Sequence, residues 1–320
     1  MQKDNAHVEF NNEQHITHTT YWHFDTALTD SKRSLGLRLL VKIKKIVETL
    51  FDIKILRNQD YSRSTEYVSF PISPELLALR AEMLLGAVRQ FFNQLGIVRL
   101  DSLIAADIEA YQRVFQSWPH KDLSGGMGFN NGLFLYCFVA AIQPKTIIES
   151  GVWRGYTTFL LDQASAQQSE LHCFDINLSK LRWRSPRAAY YENDMSQTKL
   201  KADNKPSLAF FDDHVSHYDR FMSGHTLGMA GMVFDDDVTH LSVHSDGWPP
   251  IPTINMLLNQ YRLPGQFEWK INSNHGVANF EINDFASVAA EYVFVTPPDL
   301  FDITGYRDSS RTTYVARKGV

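Results

Sequence analysis

From Pro144 onward the chain is built of short apolar runs, most of which end in acidic residues. These runs are TIIES (146–150), ELHCFD (170–175), AAYYEND (188–194), SLAFFDD (207–213) and MAGMVFDD (229–236), separated by polar segments of helical length. Strands alternating with helices imply crossover connections and a largely parallel sheet. Two further runs, EYVFVT (291–296) and TTYVAR (312–317), flank a segment containing Pro, Asp and Gly, which suits a final antiparallel excursion. The pattern therefore predicts an α/β fold with a doubly wound, mostly parallel, seven-stranded sheet.

The chain before Pro144 reads as helical from residue 31. In SKRSLGLRLLVKIKKIVETLFDIKILR (31–57), Leu39, Leu40, Ile43, Ile46, Val47 and Leu50 share one helical face. Arg38, Lys42, Lys44 and Lys45 add a positive cluster. Such a helix could touch an anionic membrane surface through residues 37–54. Packing against the protein is the expectation, because amphipathic helices mostly do that. Pro74 opens a second helix that Gly96 stops. Residues 102–117 make a third amphipathic stretch, and LFLYCFVAAI gives a short buried helix ending near Gln143-Pro144. The organisation predicted is a polar arm over 1–30, a helical extension over 31–128, and the sheet domain over 129–320.

Composition narrows the functional classes. Lys and Arg number 31 against 36 Asp and Glu, a formal charge of −5, so no global nucleic-acid footprint is suggested. No run approaches the roughly 18 apolar residues of a spanning helix. The start, MQKDNAHVEFNNEQH, has no apolar h-region, and Cys137 and Cys173 sit inside apolar runs as small hydrophobes. A cytoplasmic protein is expected.

The first strand-to-helix turn carries the sharpest signal. In IIESGVWRGYTT, Gly151 can take a positive φ and let a ligand approach the backbone, and Gly155 permits close contact between helix and strand. The spacing E-x-G-x-x-x-G is not the dinucleotide fingerprint G-x-G-x-x-G, which disfavours NAD. Asp175 ends the next strand, where a carboxylate accepts ribose hydroxyls. Taken in order, turn and acid point to a nucleoside-type ligand.

IIESGVWRGYTT followed by LHCFDIN resembles the first two motifs of class I S-adenosylmethionine-dependent methyltransferases. The variant is similar to that of sugar and secondary-metabolite O-methyltransferases and their cephalosporin-hydroxylase-like relatives. The resemblance runs from about residue 129 to the C-terminal end and implies a Rossmann-like fold. It implies S-adenosylmethionine as cofactor, with Glu149 and Gly151 along its methionine and ribose, and Gly155 in the same turn. Asp175 would then take the ribose hydroxyls, while Asn193 and Asp194 would lie near the adenine. Two departures stand out. Tyr156 is bulkier than the small residue often found there, and FDDH replaces the commoner D-x-D-H, leaving the register of Asp212 and Asp213 open by one residue.

Two acid clusters follow strand-like runs, Asp212-Asp213-His214 and Asp235-Asp236-Asp237. Strand carboxyl ends of an open parallel sheet share one ligand-facing rim. Crowded carboxylates there need a proton or a cation. One reading gives Asp213, Asp236 and Asp237 to a hard cation such as Mg²⁺, which would orient an acceptor diol and lower the pKa of its hydroxyl. The other makes them helix caps. His214 is the expected general base, with Asp213 beside it in a catalytic role. His217, one turn on, could face the same crevice, and His240 is a weaker rival. Trp153, Tyr156 and Trp248 could wall a pocket or simply be core.

The activity expected is O-methylation of a small hydroxylated acceptor, such as a sugar or glycan precursor. Two alternatives stand beside it. MVFDDD resembles the D-x-D that holds a metal and a nucleotide sugar in glycosyltransferases. A non-catalytic protein could also keep the fold.

Overall fold

The computed structural model describes residues 74–120, 126–198, 207–239, 249–259, 265–271, 274–279, 281–282, 284–308 and 310–319. The polar arm over 1–30, the segment 37–54, His240, His244 and Trp248 lie outside the described residues.

Among the described residues, three helices precede the first strand. α1 (Pro74–Leu95) begins on proline, and Gly96 leaves it at φ +74°. It buries Leu84, Val88, Phe91, Phe92 and Leu95, a stripe at helical spacing. α2 (Asp101–Ser117) does the same through Ile104, Ile108, Tyr111 and Phe115. α3 (Phe129–Ile142) is buried along nearly its whole length, as an apolar-all-round helix must be, and Gln143 ends it in the left-handed region with its N–H on Val139 O.

β1 (Thr146–Ser150) and α4 (Tyr156–Ala164) follow, then β2 (Glu170–Phe174), β3 (Ala188–Tyr191), β4 (Ser207–Phe211), α5 (His217–Thr226) and β5 (Gly231–Phe234). After these come α6 (Ile254–Asn259), β6 (Gln266–Ile271), β7 (Asn274–Asn279), α7 (Phe285–Ala289), β8 (Tyr292–Val295), α8 (Phe301–Thr304) and β9 (Thr313–Arg317). The main sheet has the order β3-β2-β1-β4-β5-β9-β8. β9 runs antiparallel to both neighbours, and every other pairing is parallel. The fold is thus a Rossmann-like, doubly wound α/β sheet of seven strands, with the predicted antiparallel excursion at β8 and β9.

Strand alternation sends neighbouring residues to opposite faces. Ile147, Leu171, Cys173, Leu208, Phe210, Val233 and Tyr314 pack with α1 to α4. Ile148, Phe174, Ala209, Phe211, Met232, Phe234 and Val315 pack with Phe221 of α5, Ile254 and Leu257 of α6, and Phe285 of α7. Each large apolar side chain buried this way contributes about 1.5–3 kcal/mol. Phe91 of α1 meets Phe134 and Phe138 of α3 and Tyr314 of β9 edge-on, so the first helices share a core with the sheet. Cys137 and Cys173 are free and buried. Among the described residues no helix is long and apolar enough to cross a membrane.

β6 and β7 form a separate antiparallel hairpin outside the seven apolar runs. QFEWKI alternates apolar and polar residues, which was the available sign.

Candidate functional site

Strand order reverses between β1 and β4, since β2 and β3 lie to one side of β1 and β4 and β5 to the other. Ligands of open α/β sheets bind at such a switch point, beyond the carboxyl ends of the strands. Here the loops leaving β1 and β4 touch. Gly151 sits at φ +94°, and a Cβ there would lie 2.2 Å from the carbonyl oxygen of Asp212. Only glycine satisfies both the dihedral and the contact. Gly155 sits at φ +87°, and its Cβ would lie 2.4 Å from Trp183 O. Its close neighbour is therefore the segment after β2, which caps the turn through Arg182 and Trp183 N–H groups on Arg154 O, and not the strand contact expected from sequence.

Asp175 closes the turn. One carboxylate oxygen accepts the Val152 N–H at 3.0 Å and the Trp153 N–H at 2.9 Å, and the other accepts Asn177 N–H at 2.8 Å. Trp153, exposed at the apex, is held at φ +48°. The oxygen facing Asn177 retains a lone pair for one hydroxyl.

Glu149, the penultimate residue of β1, is fully buried. The Thr158 hydroxyl donates to its Oε2 at 2.6 Å, while Oε1 is buried with no hydrogen-bond partner. Burial pushes its pKa up to about 8, against the opposing pull of Thr158 and the Cys173 thiol. Asn193, after β3, likewise has a buried Oδ1 with no partner. Two orphaned acceptors, one on β1 and one just after β3 with only β2 between those strands, are unusual in a packed protein and are expected where a donor-bearing ligand completes the site.

The acid clusters sort differently from the sequence expectation. Asp213 is committed within the protein: Ser150 Oγ and the Arg220 guanidinium both donate to its Oδ2, and Val215 N–H donates to its Oδ1. Asp194 shares that arginine and caps the following turn through Ser196 N–H. Burial pushes the Asp194 carboxyl up, but the Arg220 and Ser196 hydrogen bonds outweigh it and hold the pKa at about 2. Asp237 is buried, accepting Asn255 N–H at 2.7 Å and the Thr313 hydroxyl at 2.5 Å. Asp235 is buried too, and takes the Ser310 and Thr312 hydroxyls, each at 2.8 Å. The two carboxylates of a D-x-D reading, Asp235 and Asp237, therefore accept donors from the β9 side of the core and from α6.

What the structure does bring together is Asp212, His214 and Asp236. One potential ligand atom from each lies within 4.8 Å of the other two. His214 has φ +58° and Asp236 φ +52°, so both leave their strands through left-handed backbone, which non-glycine residues rarely adopt. Burial first, then the charges of Asp235 and Asp236, push the Asp212 carboxyl well above the usual range. A cation or a proton relieves that repulsion. Of the predicted metal set Asp213, Asp236 and Asp237, only Asp236 lies in this group. Asp212 takes the place given to Asp213, the one-residue register question that FDDH raised.

His217 does not face the crevice. It is buried, packs on Phe234, and its Nδ1 accepts Ile254 N–H at 3.3 Å. Tyr156 packs on Trp118 in the core. Sequence reasoning missed Arg220 and Ser150, and did not foresee the bond Thr158 makes. An arginine and a serine carry no spacing signature, and Thr158, the last residue of the IIESGVWRGYTT motif, is brought to Glu149 only by the fold.

No family model matches the chain, and no curated protein matches it. Among solved structures it is similar to the O-methyltransferase TomG from Streptomyces achromogenes, crystallised with S-adenosylmethionine (13% identity, 75% of this chain and 99% of that one, TM-score 0.37). It is also similar to an O-methyltransferase from Bacillus cereus in complex with S-adenosylhomocysteine (10% identity, 74% and 100%, TM-score 0.34). A third is the Podospora anserina methyltransferase PaMTH1 bound to the same product (12% identity, 79% and 100%, TM-score 0.32). Likenesses this distant carry neither family nor activity to this chain, whose fold class rests on its own strand order.

Proposed function

We propose that this chain is an S-adenosylmethionine-dependent O-methyltransferase for a small hydroxylated acceptor, with a sugar or glycan precursor as the acceptor class. The carrying observation is the turn at the switch point, where Glu149 keeps a buried, unpartnered Oε1 behind Gly151. That acceptor suits the ammonium of a methionine moiety, Asp175 has capacity left for a ribose hydroxyl, and Asn193 Oδ1 suits the amino group of adenine. These residues fit the cofactor. When bound, it supplies an electrophilic methyl on a sulfonium.

Asp212 and Asp236 are assigned to a divalent cation such as Mg²⁺, whose chemistry is to lower the pKa of an acceptor hydroxyl. His214, beside them, takes the proton of that hydroxyl. Asp213, proposed from sequence as a catalytic partner and metal ligand, orients the turn carrying His214, and Asp237 supports the rim from the core. A cytoplasmic setting suits the two free thiols.

The test is titration calorimetry with S-adenosylhomocysteine, paired with mass spectrometry of ligands retained through native purification. Binding in the micromolar range or tighter that falls at least tenfold in Glu149→Gln is expected. A folded protein that binds neither S-adenosylmethionine nor its product removes the proposal.

A further inference from the structure

Arg220 lies on α5 with its side chain 3% exposed, yet it joins two carboxylates from separate strand ends. Its Nε donates to Asp213 Oδ2 at 2.7 Å, and Nη2 stands 2.7 Å from the same oxygen. Nη1 and Nη2 reach the two oxygens of Asp194, after β3. β3 and β4 are not neighbours in the sheet, because β2 and β1 stand between them. No backbone ladder can therefore fix the β3 loop against the β4 loop. Arg220 supplies that link, and Ser150 at the end of β1 joins it by donating to Asp213.

The clamp reaches the rim through one short path. Asp213 Oδ1 accepts Val215 N–H at 3.2 Å, closing the turn whose middle residue is His214 at φ +58°. Left-handed backbone at a non-glycine residue persists only where its surroundings over-determine it. Asp212, on the other side of Asp213, is fixed through its N–H on Ser150 O at 2.8 Å. Both neighbours of Asp213 belong to the Asp212, His214 and Asp236 group.

We infer that Arg220 is a positioning residue: by clamping Asp213 to Asp194 it holds the 212–215 turn in the geometry that gathers Asp212 and His214 with Asp236. The role draws its functional meaning from the cation reading above, while its placement rests on geometry alone. Arginine suits the post because its planar fork presents several donors at once, which a lysine ammonium does not match.

The experiment compares wild type, Arg220→Gln, Arg220→Lys and Asp194→Asn by two readouts, Mn²⁺ affinity and amide hydrogen exchange. In Arg220→Gln, exchange within 212–216 should rise at least tenfold while α1 and β9 keep their protection, and Mn²⁺ affinity should fall at least tenfold. Arg220→Lys should fall between wild type and Arg220→Gln. Should Arg220→Gln fail to fold, Asp194→Asn, which keeps the arginine and its bonds to Asp213, should show the same local change at about threefold. Wild-type exchange over 212–216 in folded Arg220→Gln or Asp194→Asn overturns the inference, as does exchange that rises equally throughout the protein. If wild type binds no Mn²⁺, the cation assignment fails and the exchange comparison still decides the role of Arg220. Failure to bind S-adenosylhomocysteine removes the methyltransferase reading and leaves this comparison unaffected.

Discussion

The carboxylate of Asp175 accepts the backbone N–H of Trp153 at 2.9 Å, so the end of the second strand holds the apex of the turn that leaves the first. The same oxygen takes Val152 N–H. A strand-end acid expected from sequence to face a ligand is thus a fastener for the first strand-to-helix turn.

Asp175→Ala should therefore cost stability as well as affinity. A hydrogen bond to a charged group is worth about 1.5–3 kcal/mol net, so losing those to the amides of Val152 and Trp153, which share one oxygen, should lower unfolding free energy by about 3 kcal/mol, the low end for two. Affinity for S-adenosylhomocysteine should fall by at least tenfold. Urea denaturation and calorimetry on one preparation check both, and unchanged denaturation would show that the turn holds itself.

Gly151→Ala should be worse than Gly155→Ala, and both should be destabilising. Each position has a positive φ, and each Cβ would meet a backbone carbonyl, of Asp212 at 2.2 Å or Trp183 at 2.4 Å. At Gly151 the clash continues into backbone, Asp213 N at 2.8 Å, whereas at Gly155 the second contact is the flexible end of a side chain, Leu181 Cδ1 at 2.8 Å. Losses of about 3 kcal/mol or more at 151 and about 1–3 kcal/mol at 155 are expected from thermal melts.

Much of the fold was legible because its causes are local in sequence. Buried parallel strands must be apolar along their length, and the seven runs that form the sheet announce themselves that way. The tight backbone at Gly151 was legible because a positive φ and a close carbonyl restrict residue type there, whereas the neighbour that Gly155 meets, the 181–183 segment, was not. The division of labour among the acids was not. Asp212 and Asp213 are adjacent and chemically identical, and strand alternation with the position of Arg220 decides which one the protein consumes. Asp237 reads as a ligand in sequence, but Thr313, 76 residues away, supplies its donor, and Ser310 and Thr312 do the same for Asp235 beside it. Such pairings are long-range and leave no periodic trace.

Glu149 should make stability fall with rising pH. Its pKa is raised from 4.5 to about 8, so between those values the native state keeps a proton that the unfolded chain releases. Stability from this group is complete below pH 4.5 and is lost as pH rises through about 8, with a slope of up to about 1.4 kcal/mol per pH unit. Asp308, raised by burial to about 7, adds a slope of the same sign over a lower window. Glu149→Gln should flatten the part of the profile between pH 7 and 8, where Asp308 contributes little. An ammonium-bearing ligand beside Glu149 should also expel the proton, making the binding enthalpy near pH 7 depend on the buffer's ionisation heat. Parallel profiles for wild type and Glu149→Gln would mean that the carboxyl is ionised in the native protein.

The adjacent carboxylates Asp236 and Asp237 should respond in opposite ways to the same conservative change. Asp236 leaves β5 through left-handed backbone and reaches the rim with Asp212 and His214. Asp237 is buried and receives two donors, Asn255 N–H on one oxygen and the Thr313 hydroxyl on the other. Asparagine offers one oxygen and one amino group, so at 237 an N–H must face a buried donor. That leaves a hydrogen bond unmade and costs about 1–3 kcal/mol. At 236 the side chain stands among the carboxylates of the rim, and removing one of several crowded charges should leave stability unchanged or slightly higher. Mn²⁺ affinity should fall at least tenfold in Asp236→Asn and by less than threefold in folded Asp237→Asn. Chemical denaturation and Mn²⁺ titration of the two variants beside wild type give the comparison. Equal Mn²⁺ binding in all three proteins would return Asp236 to a purely structural part at the end of β5, and a stability loss in Asp236→Asn matching that of Asp237→Asn would identify that part.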